Sequence, residues 1–292
     1  MKTKTIYHWL KASLLAGSAF LFGGLQASAD TAAASSSSSS SAPSCFSLSS
    51  CGIGGAVTGQ FSNLAIFTLN AGSSDVDTFS GSSSVQGGVA VAGSGKLTLT
   101  NTARINGNLS YMTTGTLSKA STASITGTTY KNSTTDQLLD LGAEVAETAS
   151  SVASSLSASV GYPTTISSNT SLSLSSSGVA VLKLTDFKLT NTTLTLTGSA
   201  SSYYVIDISN TFSLSSANVK LSGGITWDHV LFNVTGKTGT TSLSGSSELD
   251  GILLAANRNV TLSDSSKIVG ALIANTVNMS GTSSVNCPTV SP

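Results

Sequence analysis

Three steps of one short pattern, Val85-Gln86-Gly87, Ile105-Asn106-Gly107 and Ile125-Thr126-Gly127, follow one another at intervals of 20 residues. The same aliphatic-x-Gly step returns near the other end as Leu249-Asp250-Gly251 and Ile268-Val269-Gly270, 19 residues apart. A unit this short cannot bury its own apolar side chains, so successive units have to stack on one another. The spaces between Val, Leu and Ile are filled by Ser, Thr, Asn and Gly, which are weak helix formers, while Thr and Val suit strands. The stacked unit is therefore a coil of short strands, and the fold expected is a mainly β, parallel β-solenoid. Such a scaffold offers long flat faces and few deep clefts, which favours surface binding over catalysis.

Of the 292 residues, 39% are hydrophobic and only 9% are charged, with a mean hydropathy of +0.24. A disordered chain would be poorer in aliphatic residues and richer in charge. This chain can build a core, but its surface has to be covered by hydroxyls, amides and backbone. Without a basic stripe there is no electrostatic footprint for nucleic acid. Residues 1–29 read as a signal peptide. Lys2, Lys4 and Lys11 form the basic region, Ala12 to Leu25 the apolar region, and Ala27-Ser28-Ala29 the small-residue cleavage site. Cleavage there removes three lysines and leaves 10 basic against 13 acidic side chains, a net charge of about −3 with no transmembrane segment in the mature chain.

Residues 30–44 are low complexity, with serine at every position from Ser35 to Ser41, and read as a flexible spacer. One domain is expected over 45–292. Cys45 and Cys51 are candidates for a disulfide closing a small loop in an oxidising compartment, unless Cys287 pairs with one of them and ties the two ends. Phe61 to Leu69 reads as an opening strand. In Lys96-Leu97-Thr98-Leu99-Thr100 the alternation puts leucine inward and threonine outward. Between about 135 and 158 the period changes. Leu138, Leu141, Val145, Ala149, Val152 and Leu156 recur at three and four residues, and Thr134 or Thr135 can cap the start. This predicts one amphipathic helix lying along a flank of the solenoid. Strands resume after Ser171. Tyr203 to Ile208, Val230 to Val234, Ile252 to Ala255 and Ala271 to Ala274 are nearly continuous apolar runs, as expected of strands buried on both faces. The order of coils, helix and further coils implies one solenoid assembled from two halves of the chain.

Catalytic constellations are thin. The mature chain has one histidine, His229, beside Asp228, but no Gly-x-Ser-x-Gly elbow, so the reading favoured is a corner residue entering a strand. The acidic pairs Asp75 with Asp77, and Glu248 with Asp250, could serve a polysaccharide-active solenoid if they faced each other across a cleft; solvation or capping is the plainer role. No cofactor motif or metal-ligand spacing is present. What remains is threonine. Thr98, Thr100 and Thr102, and likewise Thr193, Thr195 and Thr197, place hydroxyl and methyl groups along one side of a strand. Stacked in adjacent coils, two such rows could order water or contact a polymer, although β-propensity alone accounts for most of these threonines. The sequences Ser242-Leu243-Ser244 and Thr261-Leu262-Ser263 read as breaks in those rows.

Two family resemblances follow from these segments. Asp75-Val76 through Val85-Gln86-Gly87-Gly88-Val89-Ala90-Val91-Ala92-Gly93 resembles the opening of choice-of-anchor A family domains. Val230 to Val234, Leu249 to Asn257 and Ile268 to Ala274 resemble that family's closing motifs. That resemblance implies an adhesive module on a bacterial surface, although the last residues of the sequence, Asn286 to Pro292, lack a sorting motif. The element order of coils, helix, aliphatic run and closing coils is similar to that of the bacterial ice-binding family, which carries no fixed ice-face sequence. Together they imply an exported, non-catalytic, adhesin-like or envelope protein, secreted or on the outer envelope of a bacterium. Its flat Ser/Thr-rich face would bind a surface or polymer, with ice binding as the alternative and a polysaccharide-active enzyme as the lesser one.

Overall fold

The structure is a computed structural model, described here for residues 63–174 and 177–288. The expected signal peptide, spacer, Cys45–Cys51 pair and Phe61 lie outside these residues. The chain winds into coils of three strands each. The first three coils are β1 (Leu64–Thr68), β2 (Asp77–Phe79) and β3 (Ser84–Gln86); β4 (Gly88–Val91), β5 (Leu97–Leu99) and β6 (Arg104–Asn106); and β7 (Leu109–Tyr111), β8 (Leu117–Lys119) and β9 (Ser124–Ile125). After β10 (Thr129–Tyr130) comes the helix α1 (Ser133–Ser155). Coils then resume with β11 (Thr170–Ser173), β12 (Gly178–Leu184), β13 (Phe187–Thr190), β14 (Thr193–Thr197), β15 (Ser202–Ile208), β16 (Phe212–Ser215) and β17 (Asn218–Ser222). The last are β18 (Val230–Val234), β19 (Thr241–Ser244), the corner-turning β20 (Glu248–Leu262) and β21 (Lys267–Met279), and β22 (Ser284–Asn286).

Every inter-coil pairing is parallel, and the strands stack into three faces. Face A runs β12, β15, β18, the middle of β20 and of β21, β1, β4, β7, β10. Face B runs β13, β16, β19, the ends of β20 and β21, β2, β5, β8. Face C runs β11, β14, β17, the starts of β20 and β21, β22, β3, β6, β9. The two halves expected from the element order meet inside the stack: β21 and β22, the last strands in sequence, pair with β1, β2 and β3, the first.

The repeat that marks the sequence is the corner between faces C and A. A β-carbon on Gly107 would lie 2.2 Å from the Gly87 carbonyl oxygen, one on Gly127 2.4 Å from that of Gly107, and one on Gly270 2.1 Å from that of Gly251. The recurrence of glycine thus reflects coil-to-coil contact at a position with no room for a side chain. Inside, aliphatic ladders fill the solenoid, and Phe187, Phe212 and Phe232 form an aromatic cluster with centroids 5.4–5.8 Å apart.

The apolar runs of face A are buried on both sides because α1 covers them. Asn132 caps α1, its side chain accepting the Thr135 N–H at 2.9 Å, where Thr134 or Thr135 was the expected cap. The buried stripe also differs from the expected one. It is centred on Leu139, Ala146 and Ala153, all fully buried, and flanked by Leu138, Val145 and Ala149. Leu141 turns toward the rim and Val152 is 39% exposed. Alanine at the centre lets the helix backbone approach the flat sheet, a preference that counting large aliphatics misses. The end of α1 is held by a polar network. Ser150 donates to Asn233 (2.7 Å), Asn233 donates to Asp207 (2.8 Å) and to the Ser150 carbonyl (2.9 Å), and Lys183 bridges Asp207 (2.9 Å) and the Ser154 carbonyl (2.6 Å). Lys183 supplies the positive charge that the last helical turn lacks.

Two stability outcomes follow. Val145→Asp should lower stability by about 3–5 kcal/mol, because it buries an unpaired charge, whereas Val152→Asp should stay within about 0.5 kcal/mol; paired chemical denaturation curves check this. Gly107→Ala should cost about 1–3 kcal/mol through overpacking of the corner, read as a lowered thermal midpoint.

Candidate functional site

Face A is covered by the helix, so surface chemistry falls to faces B and C. On face B each strand alternates, one residue inward and the next outward. The first outward column, in stacking order, is Lys188, Ser213, Ser242, Thr261, Asn278, Thr78, Thr98 and Ser118, joined rung by rung in the parallel ladder. The second, two residues on, is Thr190, Ser215, Ser244, Ser263, Ser280, Ser80, Thr100 and Ala120. Coils lie about 4.8 Å apart, and the columns roughly 6.7 Å apart along the strand. The result is a flat two-dimensional lattice of hydroxyls, interrupted by an amide at Asn278 and ended by Lys188 on one side and Ala120 on the other.

From Ser213 to Ser118 neither column carries a charge. Lys188 stands at the far end, 3.4 Å from Asp186. Lys119 occupies the inward column at the open end of the stack, in register with Leu99, and its ammonium donates to the Ala123 carbonyl at 2.9 Å. A lysine there closes the end of the core and blunts the free strand edge.

Face C differs. Its outward positions include Lys220, Glu248, Asp250, Lys267 and Arg104 among Thr, Ser and Asn. Lys220 pairs with Glu248 at 3.0 Å. Burial works to raise the Glu248 carboxyl, but the hydrogen bond and charge of Lys220 hold it below its usual range. Asp250 is pushed up to about 6 by burial and by Glu248 beside it. These two carboxyls share one strand face and press on each other on an open surface.

The residues singled out in the sequence distribute as follows. Thr98 and Thr100 lie on face B. Thr102 turns the corner between B and C, its hydroxyl 3.0 Å from that of Ser82 and donating to the Gly81 carbonyl. Thr193, Thr195 and Thr197 lie on face C beside Asn218, Lys220 and Ser222. The two threonine rows therefore do not share a surface. The segments read as breaks, Ser242-Leu243-Ser244 and Thr261-Leu262-Ser263, are the continuation of the Thr98–Thr100 rung, together with Ser213, Ser215, Thr78, Ser80, Asn278 and Ser280. The signal was present as hydroxyl–Leu–hydroxyl alternation. Scoring threonine alone hid it, and sequence distance concealed that β19 and β5 belong to one face.

The two acidic pairs do not face each other across a cleft. Asp77 is buried inside the solenoid, Asp75 accepts from the Gly72 N–H (2.8 Å) and the Asn275 amide (2.9 Å) at the corner between faces A and B, and Glu248 and Asp250 are on face C. His229 sits in the 3₁₀ turn Trp227–His229. Its Nδ1 lies 3.2 Å from the Ser202 carbonyl, its Nε2 4.0 Å from Asp228, and its ring is stacked on Tyr203 at 4.2 Å. A shallow depression at the corner between faces C and A is lined by Gln86, Asn106, Asn108 and Cys287, without an acid–base pair. Among the described residues no group of His, Cys, Asp or Glu is arranged to hold a metal ion, and no helix is long and apolar enough to cross a membrane.

Comparison with known families matches residues 23–287 to the ice-binding-like adhesive domain, and the chain belongs to that family. Comparison with curated proteins returns no match. Among solved structures, an ice-binding protein from the Antarctic ascomycete Antarctomyces psychrotrophicus is similar at 18% identity and a TM-score of 0.55, over 81% of this chain and 98% of that one. A glycosylated ice-binding protein from an Arctic yeast is similar at 18% identity and a TM-score of 0.57, over 79% and 93%. An ice-binding protein domain from Shewanella frigidimarina is similar at 15% identity and a TM-score of 0.50, over 80% and 97%. At these identities the likeness establishes the fold: the parallel, helix-flanked solenoid expected from the sequence.

Proposed function

We propose that this member of the ice-binding-like adhesive family is an exported, non-catalytic protein that binds ice through face B. The observation that carries the reading is the charge-free hydroxyl lattice running from Ser213 to Ser118 across seven coils. A flat array with regular spacing and no fixed charges can hold water in a repeating pattern, whereas the ion pairs of face C would each orient water around themselves. The similar solved structures, all of them ice-binding proteins, support the same reading.

Adhesion to a hydroxylated polymer is the second reading. Serine, which lacks the threonine methyl, dominates the second column of face B at Ser215, Ser244, Ser263, Ser280 and Ser80, and a serine lattice suits hydrogen bonding to a polymer. Both readings use the same face and the same exported state, for which the signal segment ending at Ala29 is the argument. The geometry does not favour catalysis, since Asp77 is sealed from solvent and Glu248 and Asp250 stand side by side on the open face C and do not face each other across a cleft. Export also favours oxidised cysteines. The three cysteines then pair either as Cys45 with Cys51 or as Cys287 with one of the two; non-reducing peptide mapping distinguishes these linkages.

Ice-recrystallisation inhibition by the purified mature chain tests the reading. Wild type should inhibit at micromolar concentration. Thr98→Tyr and Ser242→Tyr on face B should each reduce inhibition at least about tenfold, and Thr195→Tyr on face C should leave it unchanged. Equal loss from all three would contradict the assignment of the face. Inactivity of the wild type, together with adsorption to polysaccharide that Ser242→Tyr abolishes, would favour the polymer.

A further inference from the structure

Face B is made jointly by two halves of the chain, which meet at the seam where the end of β21 pairs with β2. At that seam the inward column, otherwise apolar from Phe187 through Leu117 except for Thr241, contains Asp77 with no exposed surface. Its Oδ1 accepts the Val277 N–H of the last full coil at 2.7 Å. Its Oδ2 lies 2.6 Å from the Thr68 hydroxyl and accepts from the Asn70 amide at 2.8 Å, both in the first coil. Asn70 also donates to Thr68 at 3.0 Å. Thr68 and Asn70 are themselves fully buried. One residue along, Thr78 and Asn278 form the rung of the hydroxyl lattice that crosses the seam.

We propose that Asp77 is a positioning residue, a pH-responsive latch that ties the first coil to the last and thereby holds the two halves of face B in register. The proposal rests on the reading of face B as the binding surface. The charged group acting on Asp77 is Asp75, which also favours its neutral form. Lys96, on the neighbouring coil, directs its ammonium to the Ser73 carbonyl, and its own carbonyl accepts the Asp77 N–H at 3.1 Å. The segments of β1, β21 and β5 packed around the carboxyl supply no other charge: they present Thr68, Asn70, Val277 and Leu97. Burial, outweighing the three hydrogen bonds, raises the carboxyl to about 7. When neutral, the carboxyl keeps the Val277 contact on Oδ1 and places no charge in the core. When ionised, it is a buried charge with no counter-ion.

The sign follows from linkage. The folded state binds this proton more tightly than the unfolded chain, so the latch is at full strength below about pH 4 and weakens as pH rises to about 7. Amide hydrogen exchange of Val277, corrected for intrinsic exchange, should show its opening equilibrium rising by up to about tenfold per pH unit in that window and levelling above it. Asp77→Asn should flatten this profile. Should that variant fail to fold, the wild-type Asp77 carboxyl carbon, followed by NMR, should titrate near 7. A Val277 profile identical in wild type and Asp77→Asn, or an Asp77 carboxyl titrating near 4, would overturn the latch. Inactivity on ice at every pH, with the Val277 profile still pH-dependent, would overturn the reading of face B and leave the latch standing.

Discussion

A carbonyl oxygen of one coil sits where the β-carbon of the next coil's corner residue would have to be. That contact, repeated at Gly87, Gly107 and Gly127 and again between Gly251 and Gly270, leaves room for the coils to close to the spacing of the parallel ladder. Close stacking keeps the parallel ladder continuous on all three sides. A continuous ladder carries each side chain directly over its equivalent in the next coil, so a residue type repeated in sequence becomes a column in space. The apolar columns become the core, the runs apolar on both sides become the floor under the helix, and the hydroxyl columns become face B.

The stack is not wound in sequence order. The chain lays down three coils, runs back along face A as a helix, then builds the remaining coils toward the start until its last strands meet its first. Two buried polar clusters mark the places where this path needs specificity beyond apolar burial. Ser150, Asn233, Asp207 and Lys183 fix the end of the helix on the sheet, and Thr68, Asn70 and Asp77 close the seam. Buried hydrogen-bonded groups leave an unpaired donor or charge if the register slips, so they select one alignment among several that the repeating aliphatic ladders would accept.

Much of this was legible in the sequence because periodicity survives without knowing which coil neighbours which. The aliphatic-x-Gly spacing revealed the solenoid, the change to a three-and-four period revealed the helix, and the doubly apolar strands anticipated the helix-covered face. The face itself was not legible. Thr100 and Ser244 fall in one column of the lattice only because β21 closes on β2, a pairing between segments 200 residues apart that no local pattern encodes. Thr195, with the most regular threonine alternation in the chain, falls instead beside Lys220 on a charged surface. The helix stripe was misjudged for a related reason. Leu141 and Val152 look like core by size, while Ala146 and Ala153 are core by proximity.

The reading we propose is that a hydroxyl lattice free of charge, kept in register by the parallel ladder and by the closure of two half-solenoids, makes this protein adhere to ice. Its most direct test is adsorption to a single ice crystal grown slowly in a solution of the fluorescently labelled mature chain. The account predicts that the ice incorporates the label on discrete crystal planes. Exclusion of the label from the growing crystal, as for an inert protein at the same concentration, would contradict it.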